Sequence, residues 1–309
     1  MSALYAMPGN EAFAELLVLH GDHVRHALQL HHFPDGETLV RIEPPPMHAL
    51  AVIVCTLDHP DAKVVPLLMA AATARELGAA RVGLVAPYLA YMRQDTRFIP
   101  GEAVSARIFG KLLGSAFDWL VTADPHLHRY ARLGDAYPLE TRVVHAAPRV
   151  AAWIRSHVQS PLIVGPDSES AQWVSAVAHA LDAPWITASK QREGDRQVRV
   201  ELPGIGRWPE HTPVLLDDII ASGQTLIETL RCLPRRTRRS PVCIGLHGLF
   251  AAGAIDGLRD AGASRIVTSN SIANEHALID ISAEIAAALD SLGGPREDPQ
   301  DPAPRSTPT

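Results

Sequence analysis

The residues best placed to do chemistry lie in VLLDDIIASGQTLI, residues 214–227. Three apolar residues make a buried strand, and the carboxylates Asp217 and Asp218 follow where that strand is expected to end. Open parallel sheets place their ligands beyond the carboxyl ends of strands. The loop Ala221, Ser222, Gly223, Gln224 and Thr225 comes next and runs at once into the apolar period of a helix. Successive backbone N–H groups, two hydroxyls and a helix N-terminus together suit a phosphate. The acidic pair would repel a phosphate laid against it. Its place is beside a sugar, accepting bonds from hydroxyls, or against a cation. The segment therefore reads as a phosphosugar site, with an ordinary capped turn as the plainer alternative. It is not a nucleoside-triphosphate P-loop, because no Gly-Lys-Ser/Thr follows.

Five other segments carry reactive side chains. Arg93, Gln94 and Asp95 stand in YMRQDTRF after a strand-like run. A guanidinium there can pair bidentately with phosphate oxygens, or form a surface ion pair of little energetic weight. Asp124 and His126 close the strand WLVTA, with His128 at the same spacing, and Asp167 closes another strand in VGPD. Asp-x-His-x-His suggests a transition-metal site, but no further ligand cluster appears in the sequence, and the chain holds 15 histidines. Lys190 and Arg192 sit in ASKQREGDRQ, and Lys190 is one of only three lysines beside 25 arginines. Cations on a mobile loop can stabilise charge developing on a transferred phosphoryl group; the alternative is a solvated hairpin tip. Phe33, Asp35 and Glu37 alternate through HFPDGE, where an aromatic face and carboxylates could address an adenine, or where Pro-Asp-Gly simply turns the chain.

These residues need strand ends and loops to hold them, and the pattern supplies both. Short Val/Ile/Leu runs at 49–57, 81–89 and 119–122 alternate with helical periods at 61–77 and 103–115. The pattern restarts near residue 145, with a helix at 148–157 and strands at 161–164, 184–188, 198–202, 213–216, 242–246 and 265–268. Runs without alternation mean strands covered on both faces, so the fold class is α/β with mainly parallel sheets flanked by helices. Two domains are expected, 1–145 and 146–290, as a duplicated unit, followed by a tail at 291–309 whose stretch 293–309 is Pro-rich, polar and almost without apolar residues. The cluster Arg235, Arg236, Arg238 and Arg239 reads as a solvated helix end and turn.

Composition narrows the function classes. The chain has 309 residues, 47% apolar and 20% charged, so wholesale disorder is excluded. A net charge of −6 argues against a nucleic-acid surface. No apolar stretch approaches a membrane span, and the N-terminus lacks a basic region leading into an apolar one, so a cytoplasmic location is expected. Cys55, Cys232 and Cys243 form no metal spacing and are expected reduced and buried.

LLDDIIASGQT resembles the phosphoribosyl-pyrophosphate (PRPP) loop of type I phosphoribosyltransferases and ribose-phosphate pyrophosphokinases. HFPDGE, YMRQDTRF with GEAVSAR, TADPH, VGPD and ASKQREGD are similar to segments of the pyrophosphokinases, in the same order, over most of residues 5–290. Plain phosphoribosyltransferases lack the N-terminal half, and Gly101-Glu102 looks closer to the archaeal-type branch. The resemblance implies two type I phosphoribosyltransferase-like domains and diphosphoryl transfer from Mg-ATP to ribose 5-phosphate. It implies ATP contacts at Phe33, Asp35, Glu37, Arg93, Gln94 and Asp95, and Mg²⁺ ligands at His126 and Asp167. It implies sugar-phosphate contacts at Asp217, Asp218 and residues 221–225, and catalysis by Lys190 and Arg192. The HFPDGE segment would reach a neighbouring subunit's ATP, which implies a homo-oligomer. A non-catalytic regulatory homologue and a base-using phosphoribosyltransferase are the competing expectations. Three departures bear on affinity: Ser168-Glu169-Ser170 stands where the family commonly has Gly-Gly, Ala221 where an Asp, Ser or Thr leads the loop, and Gln224 where Gly is common.

Overall fold

A computed structural model describes residues 2–47, 49–168, 170–193, 197–234 and 239–292, with the backbone alone for those of 190–200. The first half runs β1 (Ser2–Ala6), α1 (Glu11–His20), β2 (His23–His26), β3 (Leu28–His32), β4 (Thr38–Ile42), β5 (Leu50–Val54), α2 (Asp61–Glu76), β6 (Arg81–Val85), α3 (Ser105–Ala116), β7 (Trp119–Ala123) and β8 (Glu140–Val144). After α4 (Ala147–His157) the second half runs β9 (Pro161–Gly165), α5 (Ala171–Leu181), β10 (Trp185–Thr187), β11 (Ser189–Glu193), β12 (Gln197–Glu201), β13 (Thr212–Ile220), α6 (Gln224–Arg231), β14 (Val242–Gly248), α7 (Ala254–Asp260), β15 (Arg265–Ser269), β16 (Ala277–Ile279) and α8 (Ser282–Asp290).

The two halves have one topology. The first sheet orders its strands β2-β1-β5-β6-β7-β8 and the second β10-β9-β13-β14-β15-β16, every pair parallel. Each also carries one antiparallel hairpin after its second strand, β3–β4 and β11–β12. The central strands β7 and β14 are buried along their whole length, as continuous apolar runs require. Close strand approach explains one glycine here: a Cβ on Gly83 would fall 1.9 Å from the Trp119 indole that lies across it.

β13 is longer than its apolar run. It continues through the acidic pair to Ile220, because β14 keeps pairing with it at Asp217↔Gly245 and Ile219↔His247. Asp217 and Asp218 are therefore the last strand positions rather than the start of the loop. Ser189–Glu193 of ASKQREGD likewise forms β11, paired with β12, while 194–196 lie outside the described residues.

The halves are packed as one core. A single cluster joins Trp119 and Val121 of the first sheet to Trp153, Ile163, Val214 and Ile285. The last helix, α8, packs back against α1, β7 and β8. Arg149 of α4 also pairs with Glu284 of α8, and Arg81 donates to the carbonyl of Leu292 at 3.3 Å. Among the described residues, no helix is long and apolar enough to cross a membrane. Cys55 and Cys243 are buried and Cys232 is partly covered, and no disulfide links them. Of the basic cluster only Arg239 is described, where it bonds Gln159; Arg235, Arg236, Arg238 and the tail from 293 lie outside the described residues.

Candidate functional site

Near the carboxyl ends of the two sheets, three contacts join the halves. The turn after β7 brings His126 against Asp218 of β13, Nδ1 donating to the carboxylate. Tyr88, after β6, meets the ring of His247 edge-on at 5.0 Å. Thr56, after β5, donates its hydroxyl to the carbonyl of Ser271 at 2.6 Å. Topology alone produces this: parallel strands end on one side, and each sheet's loops collect on that side.

The acidic pair is electrostatically uneven. Desolvation raises the Asp217 carboxyl well above the usual range, and the charges of Asp218 and Asp167 add to it. Desolvation opposes ionisation of Asp218 too, but the bond and charge of His126, with the nearby His247, bring its pKa below the ordinary value. Asp217 also accepts the Asp218 amide at 3.0 Å. His126 is stacked on His128, ring centroids 4.3 Å apart, which places His128 as its support.

Asp124 is not directed at a ligand. Its carboxylate accepts the Ala146 amide and His145 Nδ1, both at 2.8 Å. Its backbone is left-handed, φ 28°, and tied by a 3.0 Å bond to the Val144 carbonyl. Such a conformation in a non-glycine residue persists only when its surroundings over-determine it.

Residues 221–223 turn the chain directly into α6. Gly223 adopts φ 71° at the start of α6, so the amides of Gln224 and Thr225 open the helix. Ser222 Oγ accepts the Gln224 amide at 3.4 Å. Gln224 does not crowd the loop: its Nε2 donates to Glu228 at 2.9 Å, along the helix surface. Ser170 compensates the missing glycines after Asp167. Its amide donates to Asp167 Oδ1 at 3.1 Å and its hydroxyl to the Asp167 carbonyl at 2.8 Å, fixing the carboxylate at the head of α5.

Arg93 is exposed on the loop between β6 and α3, and Gln94 Nε2 donates to Glu102. Asp95, expected at the ATP site, has a carboxylate that is already bonded within the chain. Its side chain is 1% exposed and is occupied by Arg129, whose Nη1 donates to Oδ1 at 2.7 Å and whose amide donates to Oδ2 at 3.2 Å. A carboxylate in that position locks the loop at 93–102 to the loop after β7. The Arg129 guanidinium in turn covers the Phe98 ring at 5.3 Å.

Phe33, Asp35 and Glu37 sit exposed on the β3–β4 turn, where Asp35 Oδ1 accepts the Glu37 amide at 3.1 Å. Among the described residues, no hydrogen bond or ion pair joins them to the cleft. Lys190 and Arg192 belong to β11, opposite Val200 and Val198 of β12.

Glu102, although part of GEAVSAR, and His247 receive no role from the motifs. Glu102 gathers the amides of Phe98 and Ile99, both at 3.0 Å, onto one carboxylate oxygen. His247 is 1% exposed and bonds Ser271 Oγ through Nδ1 at 2.8 Å. Desolvation holds its pKa below the ordinary value against the pull of Asp218 and Asp124. Its one sequence signal is that it is the sole histidine in the uncharged run 240–255.

Residues 2–116 match the family described as the N-terminal domain of ribose phosphate pyrophosphokinase, and residues 140–284 match the phosphoribosyl transferase domain. Ribose-phosphate pyrophosphokinase of Saccharolobus solfataricus is 31% identical over 264 residues, 83% of this chain and 89% of that protein. The protein of the same name in Halobacterium salinarum is 31% identical over 257 residues, with 83% and 88% covered. Among solved structures, phosphoribosylpyrophosphate synthetase of Mycobacterium smegmatis superposes with a TM-score of 0.81, covering 94% of this chain and 99% of that one. At 21% identity that likeness speaks for the fold.

Proposed function

The chain belongs to the ribose-phosphate pyrophosphokinase family, and from that premise we propose that it converts ATP and ribose 5-phosphate to AMP and PRPP. One observation carries the reading: the His126 turn of the first sheet meets the end of β13 in the second, beside the phosphate loop. A diphosphate donor held by one half and a sugar phosphate held by the other would meet at that seam.

In this reading Asp217 accepts bonds from the ribose hydroxyls, while the 221–225 loop and the N-terminus of α6 hold the 5-phosphate. Arg93 and Gln94, with the β3–β4 turn of a neighbouring copy, hold ATP; Asp95 acts behind them through Arg129. The C1 hydroxyl oxygen attacks the β-phosphorus in line, the bond from that phosphorus to the bridging oxygen breaks, and AMP leaves with the oxygen. The hydroxyl proton passes to solvent, and no covalent enzyme intermediate forms. Lys190 and Arg192 of the β11–β12 hairpin stabilise charge on the transferring group, so catalysis is chiefly positioning and electrostatics.

The acidic floor fits Mg²⁺ in one particular way. Asp167 and Asp218 both raise the ionisation cost of the desolvated Asp217, so the floor gains from a cation. Among the described residues, no three His, Cys, Asp or Glu side chains form a ready cage. Mg²⁺ often takes one or two carboxylates and completes its shell with phosphate oxygens and water. His126 and Asp167 are the residues that would hold it, and it would neutralise the phosphate charge.

The proposed division is 1–145 for the ATP segments and 146–290 for the sugar phosphate. Exposed Phe33 and Leu39 on the β3–β4 hairpin support a homo-oligomer, and the composition supports a cytoplasmic location. Incubation with Mg-ATP, with and without ribose 5-phosphate, tests the function. AMP and PRPP should appear in equal amounts only when the sugar is present. Release of ADP, or AMP formation indifferent to the sugar, would exclude it.

A further inference from the structure

The neighbouring strands β5, β6 and β7 of the first sheet and β15, β14 and β13 of the second are joined near their ends by one row of three contacts. Thr56, after β5, donates its hydroxyl to the carbonyl of Ser271, after β15, at 2.6 Å. Tyr88, after β6, lies edge-on to His247 of β14. His126, after β7, reaches Asp218 of β13.

The row keeps its form when the halves are exchanged. β1 opens on β5 with Ser2↔Leu50, and β9 opens on β13 with Pro161↔Thr212. From those pairs Val52, Gly83 and Trp119 lie side by side in the first sheet, as Val214, Val242 and Arg265 do in the second. Thr56 and Asp218 each stand four residues beyond their row, and Tyr88 and His247 five. The turns after β7 and β15 also begin alike. Asp124 accepts the Ala146 amide at 2.8 Å, and its counterpart Asn270 accepts the Ile281 amide at 3.0 Å. Tyr88 and His247 are therefore each other's equivalents, and the bond of Thr56 to the opposite turn is the counterpart of the contact of Asp218 with His126.

The two ends of the row differ in chemistry. Where β13 has Asp217 and Asp218, the first half has Cys55 and Thr56, so the contact is kept there without the carboxylates. Thr56 is fixed within its own half: its amide donates to Asn10 Oδ1 at 2.7 Å, its carbonyl accepts Lys63 Nζ at 2.9 Å, and the next amide, Leu57, donates to the Tyr88 carbonyl at 3.0 Å. Across the seam the Ser271 hydroxyl lies 2.8 Å from His247 Nδ1, and His247 is in register with Ile219, the residue after Asp218. An unbroken series of bonds thus runs from Thr56 to the strand that carries Asp218. A cavity of about 450 Å³ beside Thr56, lined also by Asn10, Lys63 and Ile272, leaves the turn after β15 room to shift once that bond is gone.

We propose that Thr56 is a positioning residue for the diphosphoryl transfer, its bond to Ser271 fixing the far end of the row so that His126 and Asp218 come together at the other. The role rests on the reading above, since Thr56 acts on the reaction only through that pair. Small shifts matter there, because a misplacement of about 1 Å can cost about 10²-fold in rate.

Thr56→Val keeps the shape of the side chain and removes the donor. In the AMP-release assay its kcat should fall about 5- to 10-fold, with KM for both substrates within about 2-fold of wild type. Thr56→Ser, which keeps the hydroxyl, should hold kcat within about 2-fold. In a His126→Ala background the Val substitution should cost less than about 2-fold, because residues that act as a unit are not additive. Asn10→Ala releases the Thr56 amide without touching its hydroxyl; it should lower kcat about 3-fold and covers the case in which the Val variant does not fold.

If the wild type gives no sugar-dependent AMP, the functional reading fails and this role falls with it. If the wild type is active and the folded variants keep its kcat, the positioning role alone is overturned. Equal losses in the Val and Ser variants, or a Val loss undiminished in the His126→Ala background, also overturn it.

Discussion

Glu102→Ala should weaken ATP selectively, although Glu102 is not placed against ATP. One of its oxygens accepts the Phe98 and Ile99 amides at 3.0 Å and Gln94 Nε2 at 3.2 Å. Its carbonyl accepts Arg97 Nε at 2.7 Å, a backbone contact that the substitution leaves in place. The carboxylate thus folds the segment 94–102 around itself and presents Arg93 and Gln94 in one geometry. Bonds to a buried charged group contribute about 1.5 to 3 kcal/mol each, but this loop is half exposed and water competes, so about 0.5 kcal/mol each is the fitting scale. Three such bonds give about 1.5 kcal/mol, close to a tenfold rise in KM for ATP. KM for ribose 5-phosphate should change by less than about twofold, because that site belongs to the other sheet and distant sites couple weakly. Glu102→Gln, which keeps an acceptor oxygen but not the charge, should fall between. The assay is AMP release, titrating each substrate at saturation of the other, with melting temperature measured alongside. An equal rise in both constants, or a fall in kcat at unchanged ATP affinity, would refute the argument that Glu102 shapes the ATP loop.

Four further outcomes follow from the same geometry. Asp217→Asn should raise KM for ribose 5-phosphate about 5- to 30-fold and that for ATP much less; a defect confined to ATP would overturn the sugar-side assignment. Lys190→Ala should cut kcat by about 10²-fold with small changes in either KM, since a cation acting on developing charge contributes in the transition state; a normal kcat with a raised KM would remove that role. Gly245→Ala places a Cβ 2.4 Å from Ile220 Cγ1, the residue before the phosphate loop, so KM for ribose 5-phosphate should rise and the melting temperature fall, both checked on the same purified variant. Burial lowers the His23 pKa from 6.5, against the nearby Asp290 and Asp22, so the folded chain binds this proton less readily than the unfolded one. Its contribution is present above the unfolded value and lost as pH falls below about 6.5; urea titrations should show stability falling there, and His23→Asn should flatten that slope.

What the sequence determined by itself was local. Continuous Val/Ile/Leu runs that need cover on both faces fixed the parallel α/β class, and VLLDDIIASGQT marked a strand end, a Gly-containing turn and a helix start in that order. The family was legible for the same reason, since its motifs are short and consecutive. Tertiary structure decided what depends on the partner strand or the opposite half. β13 runs on through Asp217 and Asp218 because β14 continues to pair with it, which no pattern within 213–220 reveals. The Asp95 carboxylate is engaged by Arg129, 34 residues on, which bonds both its oxygens. The meeting of His126 with Asp218 spans 92 positions, and the seam of Thr56, Ser271, Tyr88 and His247 joins segments of four different strands. Hydrogen bonds of that separation carry no periodicity in the chain; they exist only once two copies of one topology have brought their strand ends together.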